Sequence, residues 1–308
     1  MKRVFSIVLS FTFLFSCAQK EMEKEIIAYQ DKMYDKIEKF DTKPLYILQV
    51  NKNNCRVLVS CNDIPHWITF FDNDGASTPL FLNDYILKSG NQIVKIQIYP
   101  KEGQEFIADN ADLDIKLKYA KDKNDGVDTY TNLSHVELPE NIGSKKSPYL
   151  ELKIPFEAIV PWDFSKDLDT AQDLSKVPDI EEKVVKKYKQ LRELLVNGDG
   201  LSFLKEIERS DLKTMSYLYF TKKEILIEDK IENSDIKPIR KDVKNRKVYP
   251  IEDYEMTFSA DNKLVILRRK KDREEILNVE FETETGVDGS IRCTILYMPY
   301  NSNELKVW

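Results

Sequence analysis

The hydrophobic period changes several times along the chain, and those changes divide it. Val4 to Phe15 is an apolar run broken only by Ser6, Ser10 and Thr12. Over residues 20–40, Ile26, Met33, Ile37 and Phe40 recur at helical spacing, with Glu and Lys between them. Ile27 and Tyr34 widen the stripe. This predicts a helix, about 32 Å long if continuous. A free stalk has no use for an apolar face, so the stripe favours a helix folded back on the body.

After Pro44 the period shortens to two. Strands are predicted at Leu45–Val50 and Cys55–Cys61, joined as a hairpin through Asn51-Lys52-Asn53-Asn54. Shorter apolar pieces at Ile68–Phe71, Leu80–Leu82 and Ile86–Leu87 lie between turn signals at 72–75 and 89–91. Ile93–Tyr99 alternates. Leu113–Tyr119 alternates more cleanly, with Leu, Ile, Leu and Tyr on one side and Asp and Lys on the other. Tyr149–Phe156 repeats the pattern, and Asn124-Asp125-Gly126 reads as a hairpin turn. Short strands with turns between them predict an all-β sandwich over 42–162, immunoglobulin-like or jelly-roll-like. Residues 163–178 are polar and predict a linker or surface loop. A helix follows over Ile180–Val196, with Val184, Tyr188, Leu191 and Leu195 as its stripe and Asn197-Gly198 as its stop. A short helix at Leu201–Ile207 and a third over Leu212–Ile227 come next, with strand as the alternative for 217–220. Strands return at Tyr254–Ser259, Leu264–Arg269, Ile276–Glu282 and Ile291–Met298, with a turn at Asp261-Asn262. The fold class is therefore mixed: a sandwich followed by an α+β domain over 179–308, its helices on an antiparallel sheet. That order of helices and meandering sheet resembles the nuclear-transport-factor-2-like family, which implies a curved-sheet cone.

The first apolar run is twelve residues long. A spanning helix needs roughly 20, so the run matches the core of a signal peptide behind Lys2 and Arg3. Leu14-Phe15-Ser16-Cys17 resembles the cleavage box of bacterial lipoproteins, with Leu14 three before the cysteine and a small Ser16 just before it. Phe15 departs from the small or branched residue usual there. The resemblance covers residues 1–17. It implies removal of 1–16, diacylglycerol on the Cys17 thiol and acylation of the new amine, leaving 17–41 as a lipidated N-terminus and helix. Ala18 stands where an Asp would resemble an inner-membrane retention signal, so an outer-membrane lipoprotein is expected, facing the periplasm or the cell surface. Gln19–Glu23 resembles signals that carry some lipoproteins to the outer surface.

Charge narrows the partners. The chain has 47 basic and 53 acidic residues. Without Lys2 and Arg3, 45 basic residues face 53 acidic ones, a net charge of −8. That argues against nucleic acid, which needs a basic face, and leaves anchoring to the lipid. Fifteen Tyr, fifteen Phe and three Trp indicate a folded body. Beyond Cys17 the cysteines are Cys55, Cys61 and Cys293, an odd number that excludes a disulfide framework. A Cys55–Cys61 bridge meets a strand of six residues, about 20 Å, whereas a disulfide needs Cα atoms roughly 4.4–6.8 Å apart. A bend, pairing with Cys293, or buried free thiols packed as small apolar groups remain, the last favoured.

Candidate chemistry is sparse. Pro65-His66-Trp67 offers a stacking ring beside a polar contact, as in sugar or peptide sites, against a Trp that plugs a sandwich end. Asp72-Asn73-Asp74-Gly75 lacks the spacing of a calcium loop and reads as a turn. Two histidines, His66 and His135, and no CxxC pair argue against zinc. No Ser elbow accompanies them, so a Ser-His-Asp site is not expected. Arg268-Arg269-Lys270-Lys271 reads as a solvated strand end. Tyr217, Tyr219 and Phe220 line either a pocket or, more simply, a core. The expectation is a non-enzymatic envelope lipoprotein, with no catalytic residue, metal or cofactor. It would be held to the membrane through Cys17 and would bind a protein partner, for example as an immunity-type neutraliser of a toxin. A glycan- or polymer-binding surface protein and a hydrolase-like enzyme using a pocket of the C-terminal half are the alternatives. A buried carboxylate of raised pKa in that pocket would revive the last.

Overall fold

The computed structural model describes residues 24–66, 76–224, 244–283 and 286–308. Cys17, Trp67 and the 72–75 turn lie outside them, as does the strand expected at Ile68–Phe71. The fold is mainly antiparallel β, four sheets with helices between and against them.

Eight strands come from 45–163: β1 (Leu45–Asn53), β2 (Arg56–Cys61), β3 (Ile64–Pro65), β4 (Ala76–Phe81), β5 (Lys88–Tyr99), β6 (Asp112–Ala120), β7 (Thr131–Glu137) and β8 (Leu150–Asp163). They form a first sheet in the order β4-β1-β6-β7 and a second in the order β3-β2-β5-β8. Alternation puts Leu48 and Val50 of β1, Leu113, Ile115 and Leu117 of β6, and Val94, Ile96 and Ile98 of β5 into one shared apolar core. The β1–β2 hairpin does not form. β1 pairs with β4 and β6, and β2 with β3 and β5. The supposed turn residues extend β1 instead, leaving Asn54 and Cys55 as the whole connection. Asn54 takes φ 51°, and buried Lys52 donates from Nζ to Cys55 O at 2.8 Å. The chain thereby crosses from one sheet to the other, and the apolar sides of both strands face the same interior. Gly90 is not a turn either. It sits inside β5 at φ 123°, where the pairing with β8 slips between Lys88 and Gly90. Ser89 Oγ replaces the lost ladder bonds, accepting from Val160 N at 2.9 Å and donating to Val160 O at 3.0 Å.

The segment 163–178 is bolted down. It carries α2 (Ser165–Thr170) and a 3₁₀ turn (Leu174–Lys176). Gln172 N donates to Met298 O, Leu174 N donates to Asn262 O, and Leu174 is fully buried. Then come α3 (Ile180–Asn197) and α4 (Gly200–Tyr217). α3 buries the four residues of its expected stripe and ends on Gly198 at φ 66°. α4 is one helix where two were expected. No breaker separates Glu208 from Leu212, and the gap in its apolar stripe marks a polar face. The strand alternative at 217–220 is ruled out: the helix runs to Tyr217, and Tyr219 turns away at φ 56°.

The C-terminal strands are β9 (Lys244–Val248), β10 (Tyr254–Ser259), β11 (Leu264–Arg269), β12 (Leu277–Thr283), β13 (Gly286–Arg292), β14 (Leu296–Tyr297) and β15 (Lys306–Val307). They divide into sheets β10-β11-β14-β15 and β13-β12-β9. β11 is a wall shared by two cores. Leu264 and Ile266 belong to the first, Val265 and Leu267 to the second beneath α3 and α4. A helix over 24–36, α1, is folded back as its stripe predicts. Ile26 enters the second core, while Met33 and Ile37 pack with Met215 of α4.

Candidate functional site

A cleft of about 1040 Å³ lies between the end of α1, the outer faces of α3 and α4, and the C-terminal residues 303–307. Its sign is opposite to that of the chain. Eight basic residues and five acidic ones line it. The helix period explains this. On α3, Lys183, Lys186 and Lys187 flank the buried stripe of Val184 and Tyr188. On α4, Lys205, Arg209 and Lys213 stand at i, i+4 and i+8, so they stack along one face beside Phe203 and Ile207.

Some of these cations are already paired. Lys187 meets Glu206 at 2.6 Å, Arg209 pairs with Asp167 of α2, and Lys36 of α1 pairs with Glu208. Lys186, Lys205 and Lys306 are exposed and make no ion pair among the described residues. Deeper in lies Lys213, its side chain 12% exposed and its Nζ 3.4 Å from Asp167 Oδ2. That is long for a charge-assisted hydrogen bond. Nζ also sits 3.7 Å from the centre of the Trp308 ring. Burial pushes the Lys213 amine down to about 8, and the Arg209 cation works in the same direction against Asp167. Behind the lining residues Arg209 and Lys213, Trp308 stands edge-on to Tyr297 at 5.2 Å, and the Arg209 guanidinium lies over Tyr297. The cleft thus presents free cations at its rim and a partly desolvated amine at its base.

The residues singled out in the sequence fall elsewhere and do not converge. Tyr217 and Tyr219 are core, packed with Phe40, Trp162 and Phe164, and Tyr219 donates to Pro44 O at 2.9 Å. His66 is buried, its ring 4.9 Å from that of Tyr85. Burial holds it down at about 3, so it is neutral. Cys55, Cys61 and Cys293 are free thiols, and burial raises Cys61 to about 12. His135 lies exposed on β7 with Asp114 and Glu137, the one group of metal-ligand type among the described residues. Asp114 already accepts from Asn51 at 2.9 Å and Lys116 at 3.2 Å, and meets His135 Nε2 at 2.6 Å. A cation on the same carboxylate opposes a metal there.

Arg268 departs from the solvated run expected of it. It continues the face of Leu264 and Ile266 and is buried, its Nη2 donating to His66 O at 3.0 Å and lying 3.5 Å from Glu275 Oε1. Burial raises the Glu275 carboxyl to about 7, although Arg268, the Cys293 thiol and the Thr294 amide all pull it down. Glu275 lines neither this cleft nor the smaller cavity beside Arg268. The cleft residues escaped sequence reading because charged residues flank the apolar stripes all along 183–213, as on any solvated helix face. The only available signal was the four-residue spacing of Lys205, Arg209 and Lys213. No protein-family model, curated protein or solved structure matches the chain.

Proposed function

We propose that this is a lipid-anchored protein of the cell envelope, tethered through Cys17 at the outer membrane, that captures a macromolecular partner by an acidic segment seated in the basic cleft. The observation that carries the reading is the cleft itself, with free Lys186, Lys205 and Lys306 around Lys213 on a chain whose net charge is negative. Local charge of opposite sign to the body steers an acidic partner to one place and disfavours others. We read residues 42–162 as an open sandwich and 179–308 as an α+β body, locked through β11, so the partner meets a preformed surface. Six residues lie between Cys17 and the first described residue of α1, a reach of at most about 25 Å, so capture would occur close to the bilayer. Immunity-type neutralisation of an acidic toxin surface is one form of this activity. The hydrolase alternative has a buried carboxyl of raised pKa in Glu275, but that residue lines neither the basic cleft nor the smaller cavity beside Arg268.

The test is affinity capture from envelope extracts with the full chain and with Lys186→Glu/Lys205→Glu/Lys306→Glu, alongside fractionation of Cys17→Ala. The expected result is a stoichiometric protein partner, lost at high salt and in the triple variant, and release of Cys17→Ala from the membrane. A stoichiometric partner retained by the triple variant would overturn the cleft as its seat. Membrane retention of Cys17→Ala would overturn the anchor.

A further inference from the structure

A second cavity, about 250 Å³, lies where the two halves of the chain meet. One wall is the outward side of the second sheet, with Leu58 and Ser60 of β2 and Lys95, Gln97 and Tyr99 of β5. The other is one side of the β10–β11 hairpin. Its register sets Glu255 opposite Arg268 and Thr257 opposite Ile266, with Ser259 at the far end. Asp63 ties the walls together, accepting from Ala260 N at 2.9 Å and from Lys95 Nζ at 2.9 Å.

Three polar groups on these walls are buried without a hydrogen-bond partner: Ser60 Oγ, Ser259 Oγ and Arg268 Nε. Ser60 and Ser259 are each 9% exposed and Arg268 5%. An unpaired buried polar group costs about 1–3 kcal/mol, and natural interiors hold few of them. Others lie elsewhere in the molecule, but here three belong to residues that line one small cavity from two different sheets. Arg268 Nε is only a donor, and the hydroxyls donate as readily as they accept. Lys95, Arg268 and Arg273 line the cavity against two carboxylates, Asp63 and Glu255, a surplus of one positive charge. The facing carboxylates are engaged, Asp63 as above and Glu255 with Arg273 at 3.3 Å. Arg273 is further fixed by its Nη1 contact to Tyr99 OH at 3.3 Å.

We propose that this cavity binds a small oxyanion, a carboxylate or phosphate group, held by Arg268 Nε and the hydroxyls of Ser60 and Ser259. The space equals that of about eight waters, enough for the anionic group and a sugar-sized body against Leu58 and Tyr99. The ligand would bridge the second sheet and the β10–β11 hairpin, so its binding would stiffen the junction between the halves. The site is separate from the basic cleft and does not depend on the partner reading.

The experiment is calorimetric titration and thermal melting of the full chain with inorganic phosphate and with glucuronate. The variants are Ser60→Ala/Ser259→Ala, Arg268→Lys, and Lys205→Gln/Lys306→Gln in the cleft. At least one anion is expected to bind and raise the melting temperature. Binding to phosphate alone, glucuronate alone, or both identifies which group the site takes. The double Ser variant should weaken binding at least tenfold. It should melt no lower than the parent without ligand, because it removes buried hydroxyls that have no partner. Arg268→Lys should weaken binding similarly, and the cleft variant should leave it unchanged. Failure of both anions to bind, or binding that survives Ser60→Ala/Ser259→Ala and disappears in the cleft variant, would overturn the proposal.

Discussion

Asn83 is the residue on which the start of the first sheet and the end of α4 both depend. It is fully buried in a 3₁₀ turn, Asn83–Tyr85. Its Oδ1 accepts from Tyr46 N at 2.9 Å, and its Nδ2 donates to Pro44 O at 2.9 Å and Tyr217 O at 3.0 Å. Asn83→Ala removes all three bonds. Pro44 O keeps the Tyr219 hydroxyl, but Tyr46 N and Tyr217 O lose the side chain that serves them. At about 1–3 kcal/mol for each buried group left without a partner, the expected cost is about 2–5 kcal/mol. Chemical denaturation measures it directly. In a thermal melt it corresponds to a drop of roughly 5–15 °C, at about 2–4 °C per kcal/mol for a chain somewhat smaller than this one. Asn83→Asp tests the donors alone, since it keeps the acceptor for Tyr46. At neutral pH it should be at least as damaging as Ala, because it faces a carboxylate towards two carbonyls. It should recover in part on acidification, when the carboxyl regains a proton to donate. A loss below 1 kcal/mol for Asn83→Ala, with an unchanged denaturant slope, would refute the reasoning.

Glu275 is raised to about 7 from an ordinary 4.5, so the folded protein holds a proton that the unfolded chain releases over that window. Its contribution to stability therefore falls as pH rises from 4.5 to 7, by at most about 3 kcal/mol. Urea denaturation of Glu275→Gln should show an advantage over the parent that grows across this range and then levels off; a pH-independent difference would contradict it. Lys213 should acylate with a midpoint near pH 8, while ordinary lysines keep gaining reactivity towards pH 10, as read by mass spectrometry; a midpoint above about 9.5 would sink the argument. Replacing Arg268 and Glu275 together by Met and Leu should leave stability within about 1 kcal/mol of the parent or raise it, as for other buried ion pairs. Above about pH 8, where Glu275 is ionised, Arg268→Met alone should cost about 3 kcal/mol or more, since it strands the Glu275 carboxylate.

Elements that bury one regular stripe were legible. α3 shows its four buried residues in the sequence, β10 and β11 begin and end where their patterns do, and β6 alternates as written. What could not be read depends on partners distant in sequence. β1 and β2 have equally good apolar faces, and nothing local says that they belong to opposite sheets. Gly90 signals a turn by composition, whereas its φ serves a bulge that only β8, some seventy residues later, makes necessary. β7 escaped because its residues are mostly exposed, leaving no alternation to detect. The break in the stripe of α4 suggested two helices, because a polar face turned to a cleft looks in sequence like a linker. Neither cavity was legible. Ser60 and Ser259 are ordinary outward strand residues until one sheet is laid over the other.

The placement of β11 explains why polar groups collect at this junction. Leu264, Val265, Ile266 and Leu267 are buried without alternation, so the strand has no solvent side. It can separate two cores only if both of its faces are apolar. Arg268 breaks that rule at the point where the face of Leu264 and Ile266 meets the second sheet. An apolar residue there would close the wall and would avoid the desolvation of both Arg268 and Glu275. The pair adds little to stability for that cost, and its 3.5 Å separation is not a close hydrogen bond. His66 O takes one donor of the guanidinium, Glu275 Oε1 lies 3.5 Å from the same Nη2, and Nε makes no hydrogen bond. Ser60 and Ser259 repeat the pattern from the two walls, each a buried hydroxyl without a hydrogen-bond partner. Stability alone selects none of the three, whereas an anion in the cavity would satisfy them together.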